Sequence, residues 1–145
     1  MDALLTLQDG DPRMDAVYAL RHAVFVLEQH VPIEMERDDL DATATHLALL
    51  DARGACVATL RLLDAGPVAK IGRVAVRADH RRRGLATALL RRALELARAR
   101  GHQEALLYAQ IDATALYETL GFVSEGEIFV DAGIDHVTMR LSLKG

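Results

Sequence analysis

An apolar strand pattern ending in Val74-Ala75-Val76 runs through Arg77-Ala78-Asp79-His80 into Arg81-Arg82-Arg83-Gly84-Leu85-Ala86-Thr87, and from there directly into the strongest helical pattern of the chain. In that helix Leu85, Leu89, Ala93 and Leu96 line one stripe, Arg91, Arg92, Glu95 and Arg98 fall elsewhere, and Gly101 supplies the stop. A strand that feeds a helix through so short a basic turn must belong to a fold in which helices pack on a sheet. The turn also points to a ligand. The first N–H groups of a helix have no intrahelical partner, the macrodipole adds positive charge, and Gly84 lets a backbone come close. Ala86 is small enough for the same approach, and Thr87 offers a hydroxyl. Cations at a helix N-terminus cost roughly 0.3–1 kcal/mol each near the surface, so three arginines there call for an anion, and a pyrophosphate fits. A merely solvated first turn would leave that cost without compensation. No Gly-Lys-Ser/Thr follows, as in a Walker loop, and the three spaced glycines of a dinucleotide fingerprint are absent.

The rest of the chain supplies further strands and helices. Asp11-Pro12 reads as an N-cap and first-turn proline ahead of Val17, Leu20, Val24 and Leu27, which recur at helical spacing. His30 to Ala44 shows no clean period and is expected to be a loop with at most a short helix. His46 to Leu50 and Ala55 to Leu62 read as a hairpin across Asp51-Ala52-Arg53-Gly54, and Asp64-Ala65-Gly66-Pro67 turns the chain into a strand over Val68 to Arg77. A short strand (Ala105 to Ala109), a helix (Ala113 to Leu120) stopped by Gly121, and two strands around Asp131-Ala132-Gly133 follow. The order is βα, ββ, β, α, β, α, ββ, an α/β (α+β) mixed sheet with helices on its faces. No linker, low-complexity tract or repeat interrupts it, so residues 1–145 are read as a single domain.

Composition narrows the function. With 51% apolar and 26% charged residues the chain is globular, and no apolar run reaches the ~18 residues of a membrane span. The acidic N-terminus lacks the features of a signal peptide, and the compartment expected is the cytoplasm. Cys56 is the only cysteine, which excludes an internal disulfide and a Cys-based zinc cluster, and no metal is expected. The net charge of −4 hides an asymmetry: from Lys70 to His102 ten Lys and Arg face two acids, a local sum of +8, and the remainder sums to −12. The acidic pole holds Glu28, Glu34, Glu36, Asp38, Asp39 and Asp41 with Arg37 as the only base among them. Those acids read either as a solvated face or as an attractor for a cationic amine. Six aromatics, an acidic balance and no nucleic-acid motif argue against a nucleic-acid surface.

Two motifs carry a resemblance. Arg81-x-x-Gly84-x-Ala86 after Val74-Ala75-Val76 resembles the Gln/Arg-x-x-Gly-x-Gly/Ala motif of the GCN5-related N-acetyltransferase (GNAT) superfamily. Leu116-Tyr117-Glu118-Thr119-Leu120-Gly121-Phe122 resembles its aromatic-Tyr-x-x-x-Gly-Phe segment, with Leu116 at the aromatic position. Val24-Phe25-Val26, Glu28-Gln29, Glu36, Asp38, Asp41, His46 and Gly133-Ile134-Asp135-His136 before Met139 are similar to the ElaA-like branch. The resemblance spans most of the chain. It implies the acyl-CoA N-acyltransferase fold, a splayed mixed sheet flanked by helices, with acetyl-CoA as cosubstrate and an amine as acceptor. It further implies that the backbone of Val74, Ala75 and Val76 pairs with the pantetheine arm, and that Arg81, Arg82, Arg83, Gly84, Leu85, Ala86 and Thr87 hold the pyrophosphate. The Asn that many members carry after the next strand is replaced here by Gln110 and Asp112, of which Asp112 is the residue expected to contact CoA.

Acetyl transfer needs a neutral amine, a stabilised oxyanion and a proton for the leaving thiolate. By resemblance Tyr117 is the acid, a role compatible with a phenol near pKa ~10 and a thiol near ~8.5. An oxyanion donor is expected among the backbone N–H groups near Val76. For the base, Glu28 and His46 are candidates, and Glu36, Asp38 and His136 have suitable chemistry as well. A non-catalytic acyl-CoA-binding module is the alternative reading, and the sequence is compatible with a homodimer.

Overall fold

The structure, a computed structural model, describes residues 3–144. Seven strands form one sheet: β1 (Ala3–Leu7), β2 (Thr45–Leu50), β3 (Cys56–Ala65), β4 (Val68–Val76), β5 (Glu104–Gln110), β6 (Val123–Asp131) and β7 (Ile134–Ser142). Their order is β1-β2-β3-β4-β5-β7-β6, and every pair is antiparallel except β4 with β5. The helices are α1 (Met14–Arg21), α2 (Ile33–Glu36), α3 (Leu85–Ala99) and α4 (Thr114–Thr119). A parallel pair requires a crossover, and α3 provides it between β4 and β5.

Both faces of the sheet are covered, which is why β2 is buried along its whole length. Leu47 and Leu49 point to the side of α3 and α4, where they meet Leu89, Leu90, Ala93, Ala97 and Tyr117. Ala48 and Leu50 point the other way, to Leu7, Val17, Leu20, Val24 and Phe25. Among the described residues no helix is long and apolar enough to cross a membrane.

Three local features depart from the sequence expectations. Val17, Leu20 and Val24 are buried as their spacing requires, but Leu27 is 63% exposed. The cause is a π-helical continuation of α1 over His22–Glu28, where the Gln29 amide donates to the carbonyl of Val24. A π turn holds an extra residue, so the inward position passes to Phe25. Next, β3 includes Asp64 and Ala65, leaving Gly66-Pro67 as the reversal into β4. Finally, β4 is bulged: Thr59 faces Ala75 but Arg61 faces Gly72, so β4 carries one residue more than β3 across this span, and Arg73 sits there at φ 52°.

The sheet opens where this bulge lies. β4 and β5 pair only through residues 68–71 and 104–107. Beyond that point residues 72–76 of β4 and 108–110 of β5 have no partner in each other, and the strands diverge.

Candidate active site

The divergence of β4 and β5 opens a cleft of about 580 Å³. Val74, Ala75 and Val76 line one side, and Tyr108, Gln110 and Asp112 the other. Glu28, Arg81, Ala86, Tyr117 and His136 also border it. Of the residues that the sequence singles out for the cosubstrate, Arg82, Arg83, Gly84, Leu85 and Thr87 stand on the turn that carries Arg81 and Ala86 but do not line the cleft itself.

That turn has the geometry of an anion site. Arg82 and Gly84 both adopt left-handed backbone, at φ 64° and 75°. The first bond of α3 is donated by the Ala88 amide to the Gly84 carbonyl at 3.0 Å, so the amides of Leu85, Ala86 and Thr87 lie ahead of the helical ladder. A side chain built at Gly84 would enter open space. Among the described residues neither Arg82 nor Arg83 has an acidic partner, which leaves their charge available to an anion. Arg81 is engaged differently. Its guanidinium forks onto both oxygens of Glu28 at 2.7 Å, and its Nε donates to the carbonyl of Val76 at 3.0 Å.

Tyr117 projects from α4 with its ring against Phe122 in an edge-to-face contact. The ring is buried, and the hydroxyl, without a protein partner among the described residues, is left to the cleft. Burial pushes its pKa up to about 12, so the phenol keeps its proton at neutral pH. The end of β5 is tied to the π-helical end of α1 by the Gln110 amide, which donates to the Gln29 side-chain oxygen at 2.9 Å. His136, on β7 opposite Gln110, donates from Nδ1 to the Ile134 carbonyl at 2.7 Å and stacks on Phe129. That bond fixes the proton on Nδ1 and leaves Nε2 as the acceptor of the neutral ring.

Residues 9–143 match the acetyltransferase (GNAT) domain family. The chain belongs to that family. Its relatives include the uncharacterized N-acetyltransferase YjcF of Bacillus subtilis, 37% identical over 128 residues, covering 86% of this chain and 89% of the relative. Among solved structures, an acyl-CoA N-acyltransferase from Pseudomonas aeruginosa superposes with a TM-score of 0.86 at 33% identity, covering 97% of this chain and 99% of that one. Escherichia coli ElaA gives the same TM-score at 26% identity and the same coverage. The protein is therefore a GNAT acyltransferase with an ElaA-like relative, built on the mixed sheet that the sequence motifs imply.

Within this GNAT protein the candidate bases are not equivalent. His46 is fully buried on β2, outside the cleft, and its Nε2 donates to the carbonyl of Asp41 at 3.0 Å. Burial holds its pKa below the usual histidine value. Glu28 does border the cleft, but its hydrogen bonds with Arg81 hold its carboxyl below the ordinary range, which makes it a weak proton acceptor.

The acidic stretch divides in two: Glu28, Glu34, Asp38 and Asp39 are exposed, whereas Glu36 and Asp41 are interior. Glu36 and Asp41 are buried, each bonded to Arg21 at 2.6 and 2.8 Å. Asp41 also bonds Arg61 at 3.0 Å, and Asp38 bonds Arg61 and Arg73. Hydrogen bonds to Arg21, Arg61 and the Asp38 amide keep the Asp41 carboxyl far below its usual range despite burial. These arginines come from α1, β3 and β4, so a reading of local charge along the sequence could not pair them. Arg73 and Gln29 were missed as neighbours of the cleft for a related reason. The one available signal was Gly72, since a glycine inside a strand marks a bulge.

Proposed function

We propose that this protein transfers an acetyl group from acetyl-CoA to the neutral amine of a small molecule or peptide by direct attack. The observation that carries this reading is the continuity of the free edge of β4 with the open helix N-terminus at Gly84. Pantetheine is the kind of chain that pairs with an unpartnered strand edge, and pyrophosphate the anion that fits free amides beside Arg82 and Arg83. Asp112, on the far wall, is a further contact for CoA in this reading.

In the transfer, the amine nitrogen forms a bond to the thioester carbon while the carbonyl becomes an oxyanion, which backbone N–H groups of residues 74–76 stabilise. The amine proton passes to Nε2 of His136, whose tautomer leaves that atom free. The C–S bond then breaks and the phenol proton of Tyr117 goes to the sulfur.

The test combines calorimetric titration with acetyl-CoA and release of CoA thiol across a panel of aliphatic amines, aromatic amines and peptides. Binding followed by amine-dependent thiol release is expected. Binding without release for any amine would favour an acyl-CoA-binding module, and failure to bind would remove the reading altogether.

A further inference from the structure

Arg73 occupies the bulge of β4 in a left-handed conformation, at φ 52°. Glycine or asparagine would normally fill such a position, and an arginine persists there only where its surroundings over-determine it. Here they do. Nε donates to the carbonyl of Glu36 at 3.0 Å, and Nη2 donates to the carbonyl of Met35 at 3.3 Å and to Asp38 Oδ2 at 3.4 Å. Asp38 in turn receives two bonds from Arg61, the residue of β3 that faces Gly72 on the other side of the bulge. Asp38 therefore bridges Arg73 on the bulge to the strand opposite it. The strained residue also lies where β4 loses its pairing with β5, since the last paired residue is Ile71. Gly72, Arg73, Val74, Ala75 and Val76 all line the cleft.

We propose that Arg73 is a positioning residue, which fastens the bulge of β4 to the α2 segment so that the free amides beyond it meet the acyl carbonyl in one fixed orientation. The inference rests on the acyl-CoA reading of the cleft. The fork reaches two carbonyls and a carboxylate from two nitrogens held apart in one plane, so lysine, with its donors on a single nitrogen, would keep the charge but lose the fastening. Glycine would accept the backbone conformation without strain and leave the bulge untied.

The deciding measurement needs no acceptor. Difference infrared spectroscopy of bound [1-13C]acetyl-CoA reports how strongly the protein polarises the thioester carbonyl. The wild-type protein is expected to lower the carbonyl frequency below its solution value. In Arg73→Lys and Arg73→Gly the band should return toward solution while the protein still binds CoA, because the pyrophosphate turn lies elsewhere on the chain. A folded variant that keeps the wild-type band overturns the proposal. So does a wild-type protein that binds acetyl-CoA without shifting the band, and so does loss of the fold in both variants, which would make Arg73 a residue of stability alone. A wild-type protein that does not bind acetyl-CoA instead overturns the function on which the inference rests.

Discussion

Two titrating side chains behave in opposite ways because of where they are held. Tyr117 is buried with its hydroxyl facing the cleft, so replacing it by phenylalanine strands no polar group inside the protein. Tyr117→Phe is therefore expected to melt as the wild type does and to bind CoA unchanged, while kcat for thiol release falls by roughly 10²- to 10⁴-fold, the usual range for a lost general acid. An unchanged kcat would exclude the phenol from the chemistry. His46 is buried with no route to the cleft, and its lowered pKa has a consequence for stability instead. A histidine whose folded pKa is depressed contributes stability above its unfolded value of 6.5, and that contribution is lost as pH falls below it. Urea unfolding between pH 7 and 4.5 should show a decline of at most about 1.4 kcal/mol per pH unit from this one proton. His46→Gln should flatten that part of the profile, and an unaltered slope would show that another group is responsible.

At the scale of elements, the helix start at Gly84 was legible because its determinants are contiguous: a strand, a basic turn, a glycine and an amphipathic helix follow one another in the chain. The same holds for α4, where Tyr117, Gly121 and Phe122 lie within one short segment. The π-helical end of α1 was not legible, and the bulge at Arg73 was marked only by Gly72, since each is set by packing against residues distant in sequence rather than by local propensity. Gly84 separates folding from binding. Its added side chain would meet nothing in the free protein, so Gly84→Asp costs only left-handed strain, about 1–2 kcal/mol and less for aspartate than for most residues. The same carboxylate would stand beside the free amides that an anion needs. Gly84→Asp is expected to fold and to lose CoA binding, whereas Arg82→Ala or Arg83→Ala alone should only weaken it. Calorimetry with a folded Gly84→Asp protein that retains wild-type affinity would exclude this turn as the phosphate site.

Across the whole molecule, the charge asymmetry of the sequence resolves into two different structures. The basic pole is a surface, with Arg82 and Arg83 exposed at the helix start, while Glu36 and Asp41 of the acidic pole lie in the interior. Arg21, Glu36, Asp41 and Arg61 are each at most 5% exposed, and they join α1, the α2 segment and β3 to the β4 bulge through Asp38 and Arg73. Buried ion pairs are weak evidence of net stabilisation, since desolvation offsets much of their attraction, but removing one member leaves the others charged and unpaired. Asp41 is the member with most to lose. It holds Arg21 through both oxygens, bonds Arg61, and accepts the Asp38 amide. Asp41→Ala is therefore expected to lower unfolding free energy by about 3–5 kcal/mol, a large share of the 5–15 kcal/mol typical of a domain. Because the network reaches the cleft at Glu36 and Arg73 rather than at the Gly84 turn, CoA affinity of the protein that remains folded should be nearly unchanged. Urea denaturation beside calorimetry at one temperature separates the two effects. A loss of stability below about 1 kcal/mol would mean that the arginines find other partners or water when Asp41 is gone, and the network would then be a surface feature in energetic terms despite its burial.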